Sequence, residues 1–324
     1  MSCKLGIPTA SLGHSSAGHT LETRLGAARK YGFRGVEVSY DDVIRVAQQY
    51  QNTNTEPSES DKLRGTLDRN EYEERFQELQ VWIQVARALG TDMIMMHASA
   101  LPADRVGNRD LIIKALQKAA DAAQTETPHI RFASESRCSA TRVDKWEYSR
   151  DVIQAADRPN LGLCLDAVHI AGRIFADPAT PSSRVPGGHA AIDLSLRRLV
   201  KLIKPECEKV FLVQIGDARP PDEPVGPGSF EYSPKSTPRM VWSQKYRLFY
   251  GERNRGGFLP MEQIVDTILD GFEYKGWVSL ELFSDRTDDL NPQVRTELAR
   301  RGAVSWKKLA EDMGWWLQPK GHDL

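Results

Sequence analysis

The chain alternates, over most of its length, between short apolar runs and longer amphipathic segments. Runs typical of buried strands lie at 4–13, 33–40, 91–98, 129–136, 161–165, 209–218 and 277–283. Segments with apolar residues at helical spacing lie at 20–32, 70–90, 110–124, 145–157, 191–203, 261–276 and about 293–313. Because parallel strands need long crossover connections, this alternation predicts βαβ units and a parallel sheet covered by helices.

The number of strands is one short of a closed (β/α)₈ barrel, which needs eight. The deficit falls at 41–69, where the first third has a helical pattern and the polar remainder contains no apolar strand run. We therefore predict a single α/β barrel domain over 1–324, with a C-terminal tail from about 314, that lacks one helix–strand unit around 41–69. The Pro- and Gly-rich stretch 218–238 is expected to be a long loop over one face.

Net charge and cysteine content bear on the partners and on the compartment of the protein. The formal net charge is −1 at pH 7, so no broad basic field attracts nucleic acid or an anionic membrane. The cysteines are widely spread without a CxxC pair, which favours free thiols in a reducing compartment. The N-terminus has no signal-peptide pattern, and no apolar run reaches membrane-spanning length. We expect a cytoplasmic protein.

Polar residues follow four late strands, where the active sites of parallel barrels lie. They are Glu135, Asp166 with His169, Gln214 with Asp217, and Glu281. Three carboxylates that converge without a counter-charge repel one another, so a bound divalent cation is the natural compensation. Oxygen ligands favour Mg²⁺ or Mn²⁺, and Co²⁺ or Zn²⁺ can substitute.

Each of these residues also has a structural explanation when taken alone. A strand-end carboxylate is more often a helix cap or a loop hydrogen-bond acceptor, and a lone histidine is more often structural. Arg247, in the Arg- and Gly-rich segment 241–257, either grips a substrate carboxylate or phosphate or belongs to a solvated basic loop. For His97 the sequence leaves an inward-pointing place and a structural role equally open, whereas His14 and His19 either reach the barrel mouth or are incidental residues of a glycine-rich loop.

Six segments resemble the fungal 3-dehydroshikimate dehydratases of quinate catabolism, which belong to the xylose isomerase-like sugar-phosphate isomerase/epimerase barrels. The segments are "FASESRCSATRVDKWE", "LGLCLDAVHIAGRIFADP", "VFLVQIGDA", "RLFYGERNRGGFLP", "WVSLELF" and "ELARRGAVSWKKL". The resemblance implies one divalent metal held by Glu135, Asp166, Gln214 and Glu281. It also implies His169 as the base and Arg247 as a contact for the substrate carboxylate, and we place Arg173 beside Arg247 as substrate-binding.

The implied reaction converts 3-dehydroshikimate to protocatechuate with loss of water. A sugar isomerase or epimerase of the same superfamily is the alternative enzyme, and a catalytically weakened metabolite-binding relative is the alternative outside enzymes. The second alternative arises because family members carry an extra helix and an apolar third strand where this chain has "QNTNTEPSESDKLRGTL". A small molecule is the expected partner, nucleic acid and membrane are not expected, and a homo-oligomer is compatible with the sequence.

Overall fold

A computed structural model describes residues 3–51, 69–124 and 129–315, and the alternation of strands and helices is confirmed there. The strands are β1 Lys4–Pro8, β2 Gly35–Glu37, β3 Met93–His97, β4 Arg131–Glu135, β5 Leu161–Asp166, β6 Val210–Ile215, β7 Asp217–Ala218, β8 Arg247–Leu248 and β9 Trp277–Leu280. The α-helices are α1 Leu21–Lys30, α2 Tyr40–Gln51, α3 Arg69–Ala88, α4 Arg109–Gln124, α5 Trp146–Ala156, α6 Ala167–Ile174, α7 Gly188–Ile203, α8 Pro238–Lys245, α9 Met261–Leu269 and α10 Val294–Asp312.

Seven strands form one curled parallel sheet in the order β2-β1-β9-β6-β5-β4-β3. The first and last strands of the sheet along the chain, β1 and β9, pair as they do in a barrel. The sheet stays open between β2 and β3, which pair with no strand on their outer edges within 3–51, 69–124 and 129–315. Within the described residues no strand lies between β2 and β3, as predicted, and the polar stretch 52–68 lies outside those residues.

The strands opposite the opening are the most deeply buried. Every residue of β5 and β6 is buried, as expected for apolar parallel strands covered on both faces. The two strands approach closely at Gly162, where a Cβ atom would lie 2.5 Å from the carbonyl oxygen of Lys209. A larger residue at 162 would therefore separate β5 from β6.

Two helices, α6 and α8, were not predicted. α6 begins directly after β5, and because its first six residues are all buried it lacks the polar face by which an amphipathic helix is recognised. α8 follows Thr237, whose side-chain oxygen accepts a hydrogen bond from the backbone N–H of Met240 at 3.2 Å. The expected loop over one face therefore ends in a capped helix with proline at its first position.

A buried ion pair fixes the helices around β1 and β2. Arg24 of α1 donates from Nη1 to Asp42 Oδ2 of α2 at 3.1 Å and from Nη2 to Oδ1. Thr9, directly after β1, donates its hydroxyl to the same Asp42 Oδ2 at 2.6 Å. All three residues are at most 2% exposed, so the start of α2 is tied to α1 and β1 although the neighbouring edge of the sheet is open.

The extent of the domain stays a prediction, because 316–324 of the expected tail lie outside the described residues. Among the residues that the structure describes, no helix combines the length and the apolar character needed to cross a membrane.

Candidate active site

The carboxyl ends of β4, β5, β6 and β9 bring together a buried cluster of polar side chains. Its members are Glu135, Asp166, Gln214 and Glu281, each at most 4% exposed. Asp166 and Gln214 are paired across β5 and β6, and Glu281 directly follows β9. The structure thus places the four predicted metal ligands at one end of one sheet.

Asp166 also positions His169. The Asp166 carboxylate accepts the backbone N–H of His169 at 2.9 Å through Oδ1, which caps α6. This turn brings the imidazole Nε2 to 3.8 Å from Asp166 Oδ2 and 3.9 Å from Glu135 Oε1. One potential ligand atom from each of Glu135, Asp166 and His169 lies within 4.8 Å of the others, a spacing compatible with a shared ion.

Gln214 lies among the carboxylates with its amide nitrogen toward them. Nε2 donates to Glu281 Oε1 at 3.2 Å and to both oxygens of Glu37 at 3.2 and 3.1 Å. Oε1 accepts from the thiol of Cys164 at 3.3 Å. An amide oxygen aimed at the carboxylates would be repelled unless a cation lay between them.

Arg247 is buried inside the cluster, which corrects its predicted place in a glycine-rich loop. It belongs to β8, is 2% exposed, and donates from Nη1 to Asp166 Oδ2 at 2.8 Å and to Glu281 Oε2. Nη2 lies 2.9 Å from His169 Nε2. The alternative of a solvated basic loop is wrong for this residue, because α8 and the β7–β8 pair carry it inward.

The cluster holds more negative charge than one guanidinium stabilises. Burial tends to raise the pKa of Asp166, but the charges of Arg247 and His169 hold it well below its ordinary value. Burial raises the pKa of Glu281 well above its ordinary value, and the carboxylates of Asp166, Glu135 and Glu37 add to the effect despite Arg247. A divalent cation would supply the missing counter-charge, so the residues present fit a metal.

The imidazole of His169 is neutral at pH 7. Burial is the largest influence and lowers its pKa from 6.5 to about 4, against the opposing effect of Asp166. A neutral, buried imidazole beside carboxylates can accept a proton from a bound molecule.

The sequence analysis missed one acidic residue and left one histidine undecided. Glu37, the last residue of β2, points its carboxylate at Gln214, and burial raises its pKa. His97, the last residue of β3, has Nδ1 2.5 Å from Glu135 Oε2. Both stand at strand ends, but the strand run was extended past Glu37 to Tyr40, which placed Glu37 inside the strand.

The remaining predicted site residues, Arg173 and Asp217, contact groups outside the buried cluster. Arg173 of α6 is 2.7 Å from Asp144 through Nη2, with its side chain 34% exposed. Asp217 accepts the backbone N–H groups of Ala218 at 2.8 Å and Leu259 at 3.2 Å, so it anchors a loop.

Two histidines after β1 contact the segment that follows β9. His14 pairs with Asp288 at 2.7 Å, and His19 Nε2 lies 2.8 Å from the carbonyl oxygen of Asp289. Neither contact involves a member of the buried cluster.

Comparisons with known proteins show the family of this chain. The sequence profile of the family described as xylose isomerase-like TIM barrel matches residues 25–309. The chain is 40% identical to the 3-dehydroshikimate dehydratase of Neurospora crassa, over 97% of this chain and 95% of the relative.

Two solved structures are similar in fold. One is IOLI protein with a bound zinc atom, at a TM-score of 0.62 and 16% identity over 97% of this chain and 99% of the other. The second is the probable 3-DHS dehydratase AsbF of Bacillus anthracis, described as involved in petrobactin synthesis, at a TM-score of 0.56 and 14% identity over 91% of this chain and 97% of the other.

Proposed function

We propose that this chain, which belongs to the xylose isomerase-like TIM-barrel family and to the 3-dehydroshikimate dehydratases within it, converts 3-dehydroshikimate to protocatechuate and water. The observation that carries the proposal is the neutral His169 within 4 Å of two buried carboxylates, in a chain 40% identical to such a dehydratase over nearly its whole length. Proton removal beside a polarised carbonyl needs such a base and such a charged cluster.

We assign one divalent ion to Glu135, Asp166, Gln214 and Glu281. Their oxygen donors favour Mg²⁺ or Mn²⁺, and the zinc in the related structure supports a divalent cation in general. When bound, such an ion would polarise the ring ketone of the substrate and so acidify the proton on the adjacent carbon.

His169 is the base in this proposal, and its contacts identify the reactive nitrogen. Nε2 is the nitrogen that faces the carboxylates, 3.8 Å from Asp166 Oδ2 and 3.9 Å from Glu135 Oε1, with the guanidinium of Arg247 at 2.9 Å. Nδ1 accepts the backbone N–H of Cys138 at 3.3 Å and lies 3.2 Å from the Cys138 sulfur. Nε2 would remove the acidified ring proton and return it to the neighbouring hydroxyl, which would leave as water, and enolisation would complete the aromatic ring.

Arg247 and Arg173 are the proposed contacts for the substrate carboxylate. The guanidinium of Arg247 can grip a carboxylate through two parallel hydrogen bonds. Since Arg247 pairs with Asp166 and Glu281 in the structure, binding substrate there requires another counter-charge for those carboxylates. Arg173, more exposed and held by Asp144, would act from the rim.

We also propose a cytoplasmic location and a small-molecule substrate as the partner, without nucleic acid or membrane. All four cysteines are free thiols in the structure, which fits a reducing compartment. A net charge of −1 gives no broad attraction to nucleic acid or anionic lipid.

The activity is tested by incubating the purified protein with 3-dehydroshikimate and Mg²⁺ or Mn²⁺ and following the ultraviolet absorbance of the aromatic product. We expect protocatechuate to form with the metal and to stop forming when a chelator is added. Absence of aromatic product, together with interconversion of ketose sugars, would overturn the proposal in favour of an isomerase or epimerase.

A further inference from the structure

The two strands beside the opening of the sheet contribute none of the four ligands assigned above. β2 and β3 nevertheless each end in a polar side chain that contacts one of those ligands. We propose that Glu37 and His97 are positioning residues, which hold the side chains of Gln214 and Glu135 in the orientation that the metal needs. The inference rests on the metal assignment in the proposed function and goes beyond it in naming what aligns the ligands.

The contact of His97 with Glu135 follows from strand register. The two residues are paired across β3 and β4, so their side chains leave the sheet on the same side. His97 Nδ1 lies 2.5 Å from Glu135 Oε2, while Glu135 Oε1 faces His169 at 3.9 Å. One carboxylate oxygen of Glu135 thus contacts His97, and the other faces the interior of the cluster.

Glu37 controls which end of the Gln214 amide faces β2. Both of its oxygens accept from Nε2, at 3.2 and 3.1 Å, and an amide turned the other way would set three acceptors against one another. The amide oxygen is therefore kept away from Glu37. Its partner in the structure is the thiol of Cys164 at 3.3 Å, a weak donor, while Nε2 also donates to Glu281 Oε1 at 3.2 Å.

These contacts explain why the edge strands matter for a site whose ligands lie elsewhere. Removal of a side chain that orients a metal ligand commonly weakens metal binding by about 10- to 100-fold. Glu37 and His97 stand on opposite sides of the opening and reach the cluster from both. An open barrel can keep its metal centre as long as these two strand ends stay in place.

The experiment compares metal affinity among matched variants of the full-length protein. Mn²⁺ binding is measured by titration calorimetry, and the Co²⁺ ligand-field absorption spectrum reports the geometry of the ligands. His97→Phe keeps the ring without a donor, and His97→Asn restores a donor near the position of Nδ1. Glu37→Met removes both acceptors, and Glu37→Gln keeps one acceptor without the charge.

We expect the Phe and Met variants to bind Mn²⁺ about 10- to 100-fold more weakly with an altered Co²⁺ spectrum, and the Asn and Gln variants to stay within about threefold of the unchanged chain. The control is His14→Phe. His14 pairs with Asp288 at 2.7 Å and its side chain is 36% exposed, against 35% for His97, so this variant removes a similar pair outside the cluster. It should bind metal normally.

Unchanged affinity and spectrum in both the Phe and Met variants would overturn the proposal. Equal loss in Glu37→Gln and Glu37→Met would overturn the role of Glu37, because charge and not orientation would then be the cause. Thermal unfolding without metal identifies any variant that fails to fold, and leucine then replaces Phe or Met with the same expectation. Tight metal binding by the unchanged chain without turnover would refute the dehydratase activity alone, whereas no metal binding would refute both.

Discussion

The strands that carry the assigned ligands and the strands that flank the opening differ in burial and in charge. β5 and β6 are buried along their whole length, whereas every residue of β2 and four of the five in β3 are only partly buried. The apolar Met93, Ile94 and Met95 lie at the open edge. Within the described residues, the gap between β2 and β3 therefore removes cover from these strands without removing a proposed ligand, because the proposed ligands come from the opposite side.

Buried charge serves different purposes in the two regions. Near β2, the Arg24–Asp42 pair balances its charges and is completed by Thr9. At the ends of β5 and β9, Asp166 and Glu281 share Arg247, and burial together with the neighbouring carboxylates still raises the pKa of Glu281. A balanced pair is typical of structure, and an unbalanced buried cluster is typical of a functional site.

Asp166→Asn should break the ligand cluster most severely. The amide keeps an oxygen to cap α6 but loses the charge that attracts the cation, so we expect turnover to fall by at least about 10³-fold with loss of metal. Protocatechuate formation and metal content per chain are the measurements. A variant that keeps its metal and its rate would show that Asp166 is not a ligand.

Among substitutions near the opening, Asp42→Ala should have the largest effect, and this effect is on stability. It leaves Arg24 buried without its partner, so the free energy of unfolding in urea should fall by about 3–5 kcal/mol. The double variant Arg24→Met with Asp42→Leu removes both charges and should recover much of the loss. Equal instability in both variants would mean that packing, not charge, holds this region.

His169→Gln separates the base from the ligands. We expect kcat to fall on the order of 10²-fold or more while metal affinity stays close to that of the unchanged chain, since the imidazole acts on the proton. Steady-state kinetics and metal titration measure the two effects. Loss of the metal would instead place His169 among the ligands, and an unchanged kcat would remove it from the base role.

A substitution of Asp217 tests whether this carboxylate, which lies beside the cluster, takes part in metal binding. Burial raises its pKa from 3.8 to about 6, so between those values the folded state binds more protons than the unfolded state. Its contribution to stability is full below pH 3.8 and is lost as pH rises through about 6. Asp217→Asn should therefore raise the unfolding free energy at pH 7.5 by about 2 kcal/mol, with little change at pH 3.8 and none in metal affinity. A loss of metal would contradict this assignment.

Local sequence patterns predicted the sheet and its gap, because apolar runs and helical spacing are short-range signals. They did not predict α6, which is buried on most sides, or the environment of Arg247. Its partners Asp166 and Glu281 lie 81 and 34 residues away in the chain, so their meeting depends on how the strands assemble. Glu37 could have been found by ending the strand three residues earlier, whereas the contact of His97 with Glu135 needed the register of β3 against β4.

The central claim is that a barrel open between β2 and β3 still binds one metal ion and turns over 3-dehydroshikimate. The most direct test adds Mn²⁺ stepwise to metal-free protein in the presence of substrate and records bound metal and protocatechuate formation in the same sample. We predict that the rate rises in proportion to bound metal and levels off at one ion per chain. One bound ion per chain with turnover at background would contradict the account and favour a metabolite-binding relative.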